Sequence, residues 1–559
     1  MRKLLAALLF CGLAWGAADP DWWRNAVIYE IYPRSFADTN GDGIGDLNGI
    51  TEHLDYLKDL GVDAIWITPF FPSPQVDFGY DISNYEAIDP QYGTMADFDR
   101  LLREAGKRGI KVVNDLVVNH TSDQHPWFKE SKSSRKNKKA DWFVWQNADA
   151  KGHPPNNWQS IFGHSAWQWD EKRKQFYYHA FYKEQPDLNW RNRAVRDAMY
   201  DTMRFWLDKG VAGFRLDAVP ALFEDPQLRD EAYLDGTDNY GERKVSRQYT
   251  DNLPEVHDVL REMRQVTNEY PGRVLIGETY LPNALELAKM YGRNRDELHL
   301  PMDMQLGFIN QLSVSEFRKK LFEAETQLNG NVPLFAFDNH DNIRSVDRYG
   351  DGIHNDAIQR LIATVLLTPR ASALLYYGEE LGMTTNTPTR VEDVQDPIGR
   401  IGWPKEKGRD GERTPMQWNN DTNAGFGGTH KPWLPVEPNY KTVNVAVESK
   451  EPDSLLNYYK RLIQLRKENE QLRDGDFVLT DERSDTVLSY IRVTRNGKAV
   501  VVAMNFTAQP RTVSLDLTSR GVTGRHLKTL ISSFAAGEAG DLEHITLPAF
   551  GSYVGQVEP

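Results

Sequence analysis

The sequence has one cysteine, Cys11, and it lies inside an apolar run, so nothing beyond that run can form a disulfide. Long hydrophobic runs are equally scarce. Leu4 to Leu13 is the notable one, preceded by Arg2 and Lys3 and followed by the small residues Gly16-Ala-Ala18, the layout of an export signal cleaved near Ala18. No second run reaches membrane-spanning length. The expectation is therefore a signal peptide over 1–18 and a soluble, secreted or periplasmic protein from Asp19 onward, held by its core alone. A lipidated Cys11 is the poorer reading, because the residues before it are bulky and the apolar run continues past it. Basic tracts are lacking too. The net charge is −14, about −16 once Arg2 and Lys3 are lost, and the one dense basic stretch, Lys129 to Lys139, reads as a solvated face. That balance argues against nucleic acid or an anionic membrane as a partner.

Several chemistries lack their signatures as well. There is no HExxH or Cys/His cluster for zinc, no GxSxG for a serine hydrolase and no GxxxxGK[ST] for phosphoryl transfer. Asp77-Phe-Gly79 imitates a kinase motif, but its catalytic-loop partner is missing.

What is present begins with eight β-rich segments: Ala26–Tyr32, Asp63–Thr68, Lys111–Val118, Gly213–Val219, Val274–Glu278, Leu298–Met304, Pro333–Asp338 and Ala373–Glu379. They are separated mainly by amphipathic stretches such as Phe98-Leu101-Leu102-Ala105, and their near-continuous apolar character fits burial on both faces. The pattern predicts an α/β fold, a (β/α)8 barrel. Its catalytic barrel spans 19–119 and 191–473, with an inserted subdomain over 120–190 and a long insertion near 385–433. Past the helix at Leu455 to Leu465 the period changes to short alternating strands around the turn Asn496-Gly497, which predicts a C-terminal all-β sandwich over 474–559.

Barrel enzymes carry their chemistry at the carboxyl ends of the strands. Reading the polar residues there collects Asp81, Asp115, Asn119, His120, Arg215, Asp217, Glu278, His340 and Asp341. A lone Arg-x-Asp in a strand is more often a structural ion pair; three carboxylates with two histidines and an arginine on one rim is too much buried charge for that. Two carboxylates as nucleophile and acid/base, with a third beside a cationic transition state, is what retaining glycoside hydrolysis requires. Separately, Asp38, Asn40, Asp42 and Asp46 alternate with glycines in the layout of a calcium loop, without the glutamate spacing of an EF-hand; a metal-free turn is the competing reading.

Five blocks then carry a resemblance: Asp115-Leu-Val-Val-Asn-His120, Gln185-Pro-Asp-Leu-Asn189, Gly213-Phe-Arg-Leu-Asp217, Gly277-Glu278-Thr and Phe337-Asp-Asn-His-Asp341. In this order and spacing the chain, from about Trp22 to its end, resembles the α-amylase family, glycoside hydrolase family 13. Within it, Gln185 to Asn189, Gly411-Glu-Arg-Thr-Pro-Met-Gln-Trp418 and the Asp38 to Asp46 loop resemble the α-glucosidase and oligo-1,6-glucosidase branch. The resemblance implies Asp217 as nucleophile, kept ionised by Arg215, Glu278 as acid/base and Asp341 as transition-state stabiliser. It implies His120 and His340 on the sugar ring, Asp81 with Arg413 closing a blind pocket, Phe162 in its wall, and structural calcium on Asp38, Asn40, Asp42, the Ile44 carbonyl and Asp46. No organic cofactor is implied, and the partners are α-linked glucosides and short oligosaccharides. Ala218 after the nucleophile leans toward α-1,4 substrates. The rivals are an oligo-1,6-glucosidase, a glucosyl-transferring or isomerising enzyme, and a catalytically dead transporter ectodomain, which would carry a membrane helix and broken catalytic positions.

Overall fold

The computed structural model describes residues 20–536 and 539–558; the proposed signal peptide lies outside them. Eight parallel strands close into a barrel: Val27–Ile31, Ala64–Ile67, Lys111–Leu116, Gly213–Leu216, Val274–Gly277, Leu300–Asp303, Leu334–Ala336 and Ser372–Tyr376. Each pairs with its sequence neighbour, and Val27↔Ala373 pairing joins first to last. Seven fall inside the predicted segments, and the eighth starts one residue earlier, at Ser372; most are shorter than predicted because the chain turns toward the rim.

The near-continuous apolar strands are explained by the two sides of the sheet. Ile28, Trp66, Val113, Ile276, Met302, Leu334 and Leu374 fill the barrel interior as a core of their own. Residues of opposite phase, such as Tyr29, Ile65, Val112, Phe214 and Leu275, join the larger core under the helices. The helices are set by ordinary local signals. Met95–Lys107 starts at a capping box between Thr94 and Asp97 and buries Phe98, Leu101 and Ala105. Arg193–Lys209 ends at left-handed Gly210. Gly213, which opens the fourth strand, has φ +147°, and a Cβ there would lie 1.9 Å from the Val274 carbonyl oxygen, so only glycine lets these two strands approach.

Between the third and fourth strands the chain forms a three-stranded antiparallel sheet, ordered Trp145–Gln146, Gln175–Tyr178, Trp167–Asp170, around Trp158, Trp167 and Tyr178. Its neck is tied by isolated bridges His120↔Asp187 and Phe143↔Leu188. A second excursion was not foreseen: after the fourth strand an exposed hairpin pairs Tyr233–Thr237 with Arg243–Val245. Its strands are short and Tyr233–Thr237 is exposed along its whole length, so it lacks the alternation that betrays a half-buried strand. The C-terminal region has a six-stranded antiparallel sheet and a two-stranded one, Arg511–Val513 with Ile545–Leu547, enclosing Ile491, Val501, Leu515 and Leu547. Among the described residues no helix is long and apolar enough to cross a membrane.

Candidate active site

At the carboxyl rim of the barrel lies a cavity of about 740 Å³ whose lining includes Asp217, Glu278, Asp341, His120, His340 and Phe162. Six of the residues singled out in the sequence thus meet in one space. Arg215 lies beneath them, 1% exposed. Its Nη1 donates to Asp217 Oδ1 at 2.6 Å and to Asp115 at 3.2 Å, and its Nη2 contacts Glu278 Oε1 at 2.7 Å. The guanidinium also sits 4.8 Å from the Trp66 ring centroid, and Trp66 Nε1 donates to Asp115 at 3.0 Å. One cation is therefore shared by three buried carboxylates, and the strand register accounts for it. Asp115 and Arg215 are paired across adjacent parallel strands, and Arg215 in turn faces Ile276, two residues before Glu278.

Ala218 adds a further constraint. It sits at φ +46° directly after Asp217, a left-handed conformation that costs a non-glycine residue about 1–2 kcal/mol. In that conformation its N–H donates to Glu278 Oε2 at 2.8 Å, so the strained residue ties together the two carboxylates that flank it.

Burial pushes the Asp217 carboxyl up to about 7, with Arg215 pulling it back only in part. Arg215 favours the ionised form as expected, but it is shared with two other acids, so burial works against it. Glu278 is pushed higher, to about 8, again by burial, with Arg215 lowering and Asp217 raising it. For Asp341 burial also works upward, but His340 and the guanidiniums of Arg409 and Arg413 more than reverse it, leaving this carboxyl well below the ordinary range. Arg409 Nη1 lies 3.0 Å and Arg413 Nη2 2.8 Å from Asp341 Oδ1. The three acids are thus electrostatically distinct: Asp341 is held ionised by its cations, while burial raises Asp217 and Glu278.

The structure differs from the sequence reading at Asp81 and Arg413. Asp81 is fully buried outside the cavity, where its carboxylate accepts from Ser73 Oγ and the Val76 and Asp77 N–H groups. The cavity wall carries Asp77 instead. Arg413 is 1% exposed and braces Asp341 and the His340 carbonyl from behind, while Arg409 lines the cavity and donates to Asp77 at 2.8 Å. Asp77–Arg409, not Asp81–Arg413, is the pair across the cavity. The signal lay in Asp77-Phe-Gly79, dismissed as a kinase look-alike, and in Arg409, four residues before the arginine chosen.

Other lining residues went unnoticed. Tyr80 donates to Asp115 at 3.0 Å and stacks on His340 at 5.2 Å between centroids. Phe181 tilts against His120 and Phe162, and Tyr240 comes from the unforeseen hairpin. His120 is buried and its Nε2 donates to the Tyr80 carbonyl, 3.1 Å away; burial lowers its pKa to about 3, so it is neutral. Phe162 packs 5.4 Å from the Arg409 guanidinium. Gln185 and Asp187 serve the neck of the insertion: Gln185 donates to Asp77, and Asp187 receives from Asn119 and the Ala180 N–H.

The loop with Asp38, Asn40, Asp42, Ile44 and Asp46 lies apart from the cavity. Asp38 accepts from the N–H groups of Gly41 and Gly43, Asn40 from Asp42, Asp42 from Ile44, and Asp46 from Thr39 and Gly49. Among the described residues no three His, Cys, Asp or Glu side chains are gathered as a metal cluster. The donor set is oxygen throughout, the chemistry a hard cation takes, and a carboxylate oxygen bonded to an N–H retains a second lone pair.

A closed (β/α)8 barrel with a carboxylate trio at its carboxyl rim, two acids bridged by one arginine, defines a glycoside hydrolase. The chain belongs to the α-amylase family: residues 30–475 match its description, "Alpha amylase, catalytic domain". It falls in the branch of α-glucosidases and oligo-1,6-glucosidases. It is 42% identical over 549 residues to a probable α-glucosidase of Rhizobium meliloti (strain 1021), covering 96% of this chain and 97% of that one. It is 40% identical to the oligo-1,6-glucosidase of Parageobacillus thermoglucosidasius, covering 94% and 97%. Among solved structures, the α-glucosyl transfer enzyme XgtA superposes with a TM-score of 0.87 at 38% identity, covering 96% of this chain and 99% of that one.

Proposed function

We propose that this enzyme is an exported, exo-acting, retaining α-glucosidase that releases α-glucose from the non-reducing end of maltose and short malto-oligosaccharides. The observation that carries the reading is Arg215 bridging Asp217 and Glu278 through its two terminal nitrogens. One guanidinium serving both acids favours the short separation of about 5–5.5 Å used in double displacement over the roughly 6.5–9.5 Å that leaves room for a water in inversion.

In the first step Asp217 attacks the anomeric carbon while Glu278 donates its proton to the leaving oxygen, giving a covalent glucosyl-enzyme and a free sugar. In the second, Glu278 takes a proton from water, which attacks the same carbon and releases Asp217. Burial, which raises the Glu278 carboxyl, supports its keeping the proton it must donate, while the 2.6 Å bond from Arg215 favours ionised Asp217. Asp341, held ionised, faces the positive charge that develops on the ring. The Asp77–Arg409 pair supports exo action, because it occupies the wall past which a longer chain would have to run.

The 40% identity to an oligo-1,6-glucosidase and the likeness to a glucosyl transfer enzyme favour two alternative outcomes at the same glucosyl-enzyme: an α-1,6 linkage, or a sugar acceptor in place of water. Incubation with maltose, isomaltose, sucrose, trehalose and starch, with products identified over time, decides between them. Glucose from maltose with starch untouched is the expected result, and rapid depolymerisation of starch would overturn the exo reading. For the Asp38–Asp46 loop the oxygen-only donor set supports a structural calcium ion. Chelation is expected to lower the melting temperature more than the initial rate, and an unchanged melting curve would overturn that.

A further inference from the structure

We propose that Glu30 and His340 form a proton-sharing, net-neutral dyad that fixes His340 as a hydrogen-bond donor at Nε2. Glu30 is thereby a positioning residue for the glucosidase reaction, and this rests on the functional reading above.

Glu30 lies on the first barrel strand, pointing inward with Ile28, and is fully buried. Its Oε1 is 2.6 Å from His340 Nδ1 and 3.4 Å from the His340 N–H, while its Oε2 has no partner. Among the described residues, then, the carboxyl has no other purpose in hydrogen bonding than this ring. Two heteroatoms 2.6 Å apart must hold a proton between them. On the far side of the ring Nε2 is 3.4 Å from Asp341 Oδ2, a carboxylate kept ionised by Arg409 and Arg413. A bare Nε2 would set lone pair against lone pair, so Nε2 carries a hydrogen as well. Acid and imidazole together are then neutral, whichever side of the short bond the shared proton occupies.

The ring cannot turn to exchange its nitrogens. It is stacked between Tyr80, at 5.2 Å and 11°, and Tyr32, at 5.8 Å and 21°, with Trp66 edge-on at 6.0 Å. The charged groups facing the pair are Asp341 and Asp115 on one sign and Arg215, Arg409 and Arg413 on the other. Loss of the shared proton would leave an unsolvated anion beside two carboxylates, which burial penalises heavily. His340 consequently keeps its Nε2–H for Asp341 and a sugar hydroxyl at pH values where an exposed histidine is only half committed to either tautomer.

Histidine-selective 15N labelling of the substrate-free protein, with the signal assigned by its loss in His340→Asn, tests the dyad directly. A protonated Nε2 and a strongly downfield proton at Nδ1, both persisting to pH 9, are expected, with the downfield proton vanishing in Glu30→Gln. An unprotonated Nε2 in the wild type would overturn the proposal. Kinetically, Glu30→Leu should lower kcat about 10–100-fold with a smaller change in KM, as for other buried partners that orient a functional histidine. Glu30→Gln, which still hydrogen-bonds Nδ1, should recover kcat to within a few-fold. A Leu variant with wild-type kcat would overturn the positioning role. Should that variant fail to fold, the Gln variant and the spectra still decide. Because the spectra involve no glucoside, the signature in a protein that hydrolyses none would sustain the dyad and defeat only the glucosidase reading.

Discussion

Asp217 and Glu278 have the same chemistry and nearly the same burial, yet they are given different tasks by what touches them. Arg215 reaches both, but only Glu278 is additionally held by the Ala218 N–H, and only Asp217 takes the 2.6 Å bond. Two outcomes follow at this scale. Asp217→Asn should reduce turnover of p-nitrophenyl α-glucoside by more than about 10³-fold without loss of fold, because it removes the proposed nucleophile and leaves its shape; circular dichroism and initial rates check both halves. The pH profile of kcat/KM should be a bell whose limbs both lie above the ordinary carboxylate range, because burial raises both carboxyls. The limbs belong to the coupled pair, and an acid limb at about pH 4 would show that burial does not raise the nucleophile.

The same raised values have a price in stability, argued at the level of the strands that meet at the rim. A carboxyl whose folded pKa lies above its unfolded value binds its proton more tightly in the fold, so folding loses stability as pH rises from about 4.5 through about 8. Glu278→Gln, which removes one of three acids around Arg215, should therefore raise the melting temperature at pH 9 more than at pH 5, while abolishing hydrolysis. An equal or opposite shift would mean that Arg215 needs all three partners. Asp341 works in the other direction: its depressed pKa stabilises the fold above about pH 4 and that contribution is lost below it. The neck of the inserted sheet and the hairpin at Tyr233–Val245 supply the bridge to His120 and the Tyr240 wall, so the pocket is assembled from loops on a barrel scaffold.

At the scale of the whole molecule, barrel and C-terminal sheet meet where a buried arginine bonds main-chain carbonyls. Arg492 on the C-terminal sheet donates to the Gly475 and Thr368 carbonyls, and beside it Arg466, on the last barrel helix, donates within the barrel to those of Leu367, Pro369 and Ala371. Burial pulls Arg492 down to about 9 and Arg466 to about 10. Arg492→Met should orphan these carbonyls, costing about 2–3 kcal/mol, and so lower the melting temperature with kcat unchanged; a calorimetric scan and a maltose assay check it. At the same scale, the protein recovered from the medium or periplasm should begin near Asp19, as N-terminal sequencing would reveal.

The sequence by itself determined the barrel, because a strand buried on both faces must be apolar throughout and a helix over it must be apolar every three to four residues. It also determined which blocks carry acids, since Asp217, Glu278 and Asp341 stand at strand ends in a recognisable order. It did not decide which of two neighbouring acids or arginines faces the cavity. Asp77 and Asp81 lie four residues apart on one loop, as do Arg409 and Arg413, and an irregular backbone has no period from which facing can be read. Nor could it pair Glu30 with His340, 310 positions away. Closure of the barrel brings the first strand beside the eighth and next to the end of the seventh, and only there do burial, one shared arginine and three carboxylates set each proton's place.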